Sequence, residues 1–154
     1  MRHEISLFLL LLFPAIIAFR SLKIERKQSI AVKGVLMCNN EPAVNVKVKL
    51  YNHGQGRYVK DFMDEGTTNS EGHFVLKGHE ISIIDIKPVL ELYHDCGDEN
   101  SANGLVFFPW CLKKFSILIP NGFVSEGSEP KNTFDTGTLN LASKFFDEGR
   151  KCVN

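Results

Sequence analysis

Residues 44–51, Val44-Asn45-Val46-Lys47-Val48-Lys49-Leu50-Tyr51, alternate between apolar and polar side chains at nearly every step. A period of two sends Val44, Val46, Val48 and Leu50 to one side of an extended chain and Asn45, Lys47, Lys49 and Tyr51 to the other. The stretch therefore predicts a strand with one buried and one wet face. Upstream, Ile30, Val32, Gly34 and Leu36 alternate with Ala31, Lys33, Val35 and Met37, and Asn39-Asn40-Glu41-Pro42 supplies a turn. Together the two segments predict an opening hairpin. Further strands are expected at 74–77, after the turn Asn69-Ser70-Glu71-Gly72, and at 89–95, 112–119 and 136–141. In these, Leu90 and Leu92 face inward against Glu91 and Tyr93, and Phe115, Ile117 and Ile119 oppose Lys114, Ser116 and Leu118. Residues 79–86 carry four isoleucines in mixed spacing and fit either a strand or one helical turn before Pro88. No helical periodicity persists beyond about ten residues, so the expectation is an all-β sandwich of about seven to eight strands with room for one short helix.

Residues 5–19 are apolar except for Ser6 and Pro14, and a polar stretch follows from Arg20. That run is shorter than the ~20 residues needed to span a bilayer, and Ala18 or Ser21 offers a small residue for cleavage. The reading is an export signal at 1–19, an N-terminal linker at 20–28 and a single domain at 29–154. Secretion is expected, with no transmembrane segment in the mature chain.

An exported chain with Cys38, Cys96, Cys111 and Cys152 is expected to pair its thiols, although four cysteines allow three connectivities. Cys96 closes one β-prone segment and Cys111 opens the next, which favours a Cys96–Cys111 staple and a Cys38–Cys152 bond joining the ends. No Cys-x-x-Cys pair is present, so neither a zinc site nor any cofactor is expected.

Eighteen basic residues balance eighteen acidic ones, which gives no reason to expect nucleic acid as a partner. Two features suggest an interaction surface. Lys47 and Lys49, with Lys33 near them on the paired strand, would attract anionic lipid headgroups at about 1 kcal/mol per lysine, or form an ordinary solvated face. Residues 97–110 end in Leu105-Val106-Phe107-Phe108-Pro109-Trp110; the run either packs on the sandwich or presents Phe107, Phe108 and Trp110 to a lipid or protein. His94, in phase with Leu90 and Leu92, is expected to satisfy a buried hydrogen bond near a strand end while Asp95 faces water. His53, His73 and His79 are scattered, His53-Gly54-Gln55-Gly56 reads as a loop, and no Gly-x-Ser-x-Gly elbow or phosphate loop occurs. Catalysis is not expected.

Four segments, Ala31-Val32-Lys33-Gly34-Val35-Leu36-Met37-Cys38, Val46-Lys47-Val48-Lys49-Leu50-Tyr51, Thr68-Asn69-Ser70-Glu71-Gly72-His73-Phe74 and Tyr93-His94-Asp95-Cys96, stand in one order with Lys114-Phe115-Ser116-Ile117, Ile119-Pro120, Phe134-Asp135-Thr136-Gly137-Thr138-Leu139-Asn140-Leu141 and Cys152. In this the chain resembles the nematode transthyretin-like family over essentially the whole mature length. The resemblance implies a transthyretin-like (immunoglobulin-like) β-sandwich, secretion and two intramolecular disulfides. It also implies an extracellular binding role, since members are implicated as binding or bridging factors, including recognition of phosphatidylserine on dying cells. A cell-surface lipid or receptor is the leading partner and a small hydrophobic ligand the alternative. The hydroxyisourate hydrolases of the same fold end in a Tyr-Arg-Gly-Ser type tetrapeptide, whereas this sequence reads Arg150-Lys151-Cys152-Val153-Asn154, so a degenerate hydrolase is the weakest reading.

Overall fold

A computed structural model describes residues 24–54, 60–98 and 111–152. In chain order the elements are β1 (Arg26–Cys38), β2 (Glu41–Pro42), β3 (Lys47–His53), β4 (Lys60–Thr67), β5 (His73–Ser82), β6 (Pro88–His94) and β7 (Cys111–Leu118). A 3-10 turn (Asn121–Phe123), β8 (Ser125–Glu126), β9 (Thr133–Asn140) and β10 (Gly149–Cys152) follow. They form two sheets. In the first, β1 is the spine, antiparallel to β5 on one edge, parallel to β9 on the other and joined at its ends by β2 and β8. The second runs β10-β7-β6-β3-β4, with every pairing antiparallel.

Alternation explains how the sheets meet. Ile30, Val32 and Leu36 of β1, Phe74 and Leu76 of β5, Val48 and Leu50 of β3, Leu90 and Leu92 of β6 and Phe115 of β7 are buried together in one core, closed by Ile119 and Leu141. This is the sandwich expected from the sequence, with the inner faces of two sheets packed on one another. Among the described residues no helix is long and apolar enough to cross a membrane.

Three sequence expectations are corrected. The first is the opening hairpin, because β1 and β3 lie in different sheets. Asn39 and Asn40 turn the chain only into the two-residue β2, and the chain then crosses over. Asn45 adopts φ 57°, a left-handed conformation that asparagine tolerates. Thr68 clamps the crossover, its Oγ1 accepting from Val46 N at 2.9 Å and donating to Ala43 O at 2.5 Å. Two strands with one apolar face each can pair edge to edge or stack face to face, and alternation does not separate the cases. Val44, expected inside, belongs to the crossover and is 48% exposed.

The second concerns boundaries. Residues 26–28, read as linker, are the first rungs of β1, and buried Gln28 donates to Ile84 O at 2.7 Å and accepts from Ile86 N at 3.1 Å. That clamp ends β5 at Ser82, so residues 79–86 are strand and then bend, and the short helical turn falls at Asn121–Phe123 instead. Residues 1–19, read as an export signal, lie outside the described residues.

The third is the disulfide pattern, which is Cys38–Cys96 and Cys111–Cys152. The β6–β7 ladder ends at His94↔Lys113, two residues short of setting Cys96 opposite Cys111. There the chain turns, with Gly97 at φ 77°, and Cys96 is buried toward the core, where Cys38 at the end of β1 meets it. The first bond therefore joins the two sheets. Cys111 instead has Cys152 as its register partner on β10. The bonds span 58 and 41 residues, each worth about 4 kcal/mol on the loop-entropy account.

Gly34 marks the tightest backbone approach. β9 carries one extra residue between the Lys33↔Asp135 and Val35↔Thr138 rungs, and Gly137 at φ 69° accommodates it. A Cβ at Gly34 would fall 2.0 Å from Thr136 Oγ1 and 2.9 Å from the Phe74 ring. Gly34→Ala is expected to destabilise the fold by about 1–3 kcal/mol, read as a lower urea midpoint with unchanged slope. An unchanged midpoint would show that the bulge yields freely.

Candidate binding face

Because Leu90 and Leu92 enter the core, Glu91 and Tyr93 must emerge on the opposite face of β6. The same parity brings Lys47, Lys49 and Tyr51 of β3 to that face. Register then fixes their neighbours: Lys49 lies beside Glu91 and Glu91 beside Ser116, while Tyr93 sits between Lys47 and Lys114. From β4, Glu65 is the partner of Lys49 and Phe62 of Tyr51.

Glu91 is only 3% exposed although it stands on an outer face. Lys60 and Lys114 both pair with its Oε1, Lys114 at 3.0 Å, and Tyr93 Oη donates to its Oε2 at 2.5 Å. Burial opposes the charged carboxylate, but the hydrogen bonds from Lys60, Tyr93 and Lys114 outweigh it and lower its pKa from the usual 4.5 to about 2. Burial and the adjacent Glu91 charge push the Tyr93 phenol upward. On the same rung, across Lys49 on β4, Glu65 holds Lys47 at 3.7 Å and Lys49 at 3.3 Å. Lys49 Nζ lies 6.0 Å from the Tyr93 ring centre and Lys60 Nζ 5.8 Å from that of Tyr51, which meets Phe62 edge-on at 5.8 Å.

Each carboxylate is thus shared by two ammonium groups. Lys47, Lys49, Lys60 and Lys114 set four positive charges against the two of Glu65 and Glu91, and tyrosines lie between them. Lys33, expected beside Lys47 and Lys49, is in the other sheet and pairs with Asp135 at 3.4 Å, as the crossover after β2 requires. Phe107, Phe108 and Trp110 lie outside the described residues. Sequence reasoning overlooked Lys60, Glu65 and the role of Glu91. A single acid set between two core leucines was the available signal, whereas β4, Lys60-Asp61-Phe62-Met63-Asp64-Glu65-Gly66-Thr67, has no apolar alternation to announce it.

At one end of the face a cleft of about 230 Å³ opens between the crossover residues Val44–Lys47 and Tyr93, Asp95 and Leu112. Another of about 160 Å³ lies beside Gln28, Asp85, Asn121 and Glu126. Among the described residues no group of three or more histidine, cysteine or acidic side chains could hold a metal ion.

His94 is buried as expected, at 2% exposure, and its ring meets Phe115 edge-on at 5.8 Å. The expected hydrogen bond is absent: among the described residues neither ring nitrogen has a partner. His94 points into the apolar interior, where Phe115 stacks on Phe145 at 3.7 Å. Burial holds its pKa below the usual 6.5 and nearby Lys113 adds to the effect, against opposing contributions from Glu148, Asp98 and Asp95.

The sequence profile of the Transthyretin-like family matches residues 33–120. Transthyretin-like protein 33 of Caenorhabditis elegans is 42% identical over 127 residues, covering 82% of this chain and 83% of its own length. Transthyretin-like protein 5 of the same organism is 37% identical over 145 residues, 94% of this chain and 99% of its own. Transthyretin-like protein 46 is 38% identical over 143 residues, 92% and 76%.

Two outcomes follow from the buried groups. Glu91→Gln leaves Lys60 and Lys114 facing one another without their anion and is expected to cost about 1–3 kcal/mol above pH 5, the lysines being part-exposed. Because the folded carboxyl titrates below the unfolded one, that difference is full above 4.5 and shrinks as pH falls toward 2, which paired urea titrations would follow. His94→Leu acts in another window. A depressed imidazole contributes stability above 6.5 that is lost as pH falls, so the wild type should weaken relative to the variant on acidification below 6.5. Parallel pH profiles for the two chains would contradict this.

Proposed function

We propose that this chain, which belongs to the transthyretin-like family, is an exported extracellular binding protein, not a catalyst, and that its β4-β3-β6-β7 outer face docks on an anionic component of a cell surface. One observation carries the reading: four lysines share two carboxylates on a face lined with tyrosines. Each Lys-Glu-Lys group retains one positive charge, and the half-buried ammonium stems are held in place by the carboxylate between them. An incoming anion meets cations already positioned, which lowers the ordering cost of binding. The apolar run at 5–19 and two disulfides fit export into an oxidising compartment. The clefts beside Tyr93 and beside Gln28 are smaller than the ~300–1,000 Å³ of small-molecule pockets, so a carrier role finds less support in them.

An anionic lipid headgroup is the simplest ligand of this kind. Full-length mature protein is expected to co-sediment with vesicles containing anionic lipid and not with neutral ones. Lys47→Gln combined with Lys49→Gln should weaken that binding by about 2 kcal/mol, roughly thirtyfold. Equal binding to both vesicle types, or by both proteins, would count against the face as the docking surface.

A further inference from the structure

The two disulfides occupy unlike surroundings. Cys96 is 6% exposed inside the core cluster and Cys38, itself half-buried, packs against that cluster, so their bond is covered on the Cys96 side. Cys152 is exposed, as is every residue of β10, and Cys111 is half-buried. β10 therefore buries no side chain. Four rungs to β7, from Gly149↔Lys114 to Cys152↔Cys111, hold it in place. Arg150 adds two hydrogen bonds to Asp98, at 3.1 and 2.8 Å.

We propose that the Cys111–Cys152 bond is a thiol–disulfide exchange site for a low-molecular-weight thiol, attacked at Cys152, and that its opening frees β10 from the sheet edge. Cys152 is the more exposed residue of the pair. An incoming thiolate, its proton already lost to solvent, bonds to Cys152 Sγ; the Cys111–Cys152 S–S bond breaks and its electron pair leaves on Cys111 Sγ. The products are a mixed disulfide on Cys152 and a Cys111 thiolate, with no net oxidation. Local charge favours this direction. Arg150 Nη1 lies 3.2 Å from the Cys111 carbonyl oxygen, with Lys113, the cross-strand partner of Arg150, two residues from Cys111 on the same face, and cations stabilise a leaving thiolate. Asp98, paired with both Arg150 and Lys113, offsets part of that field. Re-attack by the Cys111 thiolate reverses the step and expels the thiol, so the site cycles.

The opened form differs physically from the closed one. Once the covalent tie is gone, the contacts among the described residues that retain β10 are the rungs, the Arg150–Asp98 pair and the Arg150–Cys111 hydrogen bond, and its departure bares the backbone groups of Cys111–Lys114 as a sheet edge.

The test uses the intact oxidised protein with reduced glutathione at neutral pH and no denaturant, quenched by alkylation and mapped by peptide mass spectrometry. The expected result is glutathione on Cys152, alkyl on Cys111, Cys38–Cys96 intact and an unchanged far-ultraviolet circular dichroism spectrum. Faster amide exchange confined to 111–114 and 149–152 should accompany it. Opening of Cys38–Cys96 at the same rate or earlier, glutathione on Cys111, or no adduct short of unfolding would each overturn the proposal. A Cys111→Ser, Cys152→Ser double variant should fold and take up no glutathione over the same period. Its failure to fold would overturn the claim that β10 is detachable.

Discussion

Side-chain alternation along β6 couples the inside of this protein to its outside. The strand is central in its sheet, flanked by β3 and β7, so Leu90 and Leu92 have no option but the core and Glu91 and Tyr93 none but the opposite face. A slip of one residue would place a carboxylate between the sheets and two leucines in water. The hydrophobic effect thereby fixes register, and register sets which lysine meets which carboxylate.

The charged cluster built on that register has an unusual balance. A carboxylate taken almost wholly out of water is costly unless its oxygens are occupied. Glu91 meets the condition with two ammonium groups and a phenol, which use both oxygens. Satisfying the acid so fully leaves surplus positive charge at the rim, and Glu65 repeats the arrangement with Lys47 and Lys49. The net charge of the chain is zero, so this local excess is a matter of placement. Composition alone hides it.

Much of the architecture was readable from the sequence, and the failures share a cause. β5 covers, and β3, β6, β7 and β9 overlap, the segments where alternation or turn residues mark a strand, β3 starting at Lys47 rather than Val44, and the family resemblance led to the same sandwich. β4 escaped because it has no fully buried residue and carries an extra residue, Met63, between its Asp64 and Phe62 rungs, so no alternation marks it. The β1–β3 hairpin failed because an amphipathic pattern reports a buried face and not the partner behind it. The disulfides were mispaired for a related reason: nearness in sequence suggested Cys96 with Cys111, but the turn at Gly97 swings Cys96 inward to the other sheet. At the candidate face, Lys47 and Lys49 were visible as a pair, while Lys60, Lys114 and the acids between them meet only through cross-strand register, which a single sequence does not state.

The most direct measurement is a carboxyl-detected nuclear magnetic resonance titration of Glu91 in the folded protein. If β6 places this side chain between Lys60, Lys114 and Tyr93, the carboxyl stays ionised far below 4.5 and its midpoint falls at about 2. A midpoint at or above 4.5 would mean that the cation pair is absent and that the face is not arranged as described.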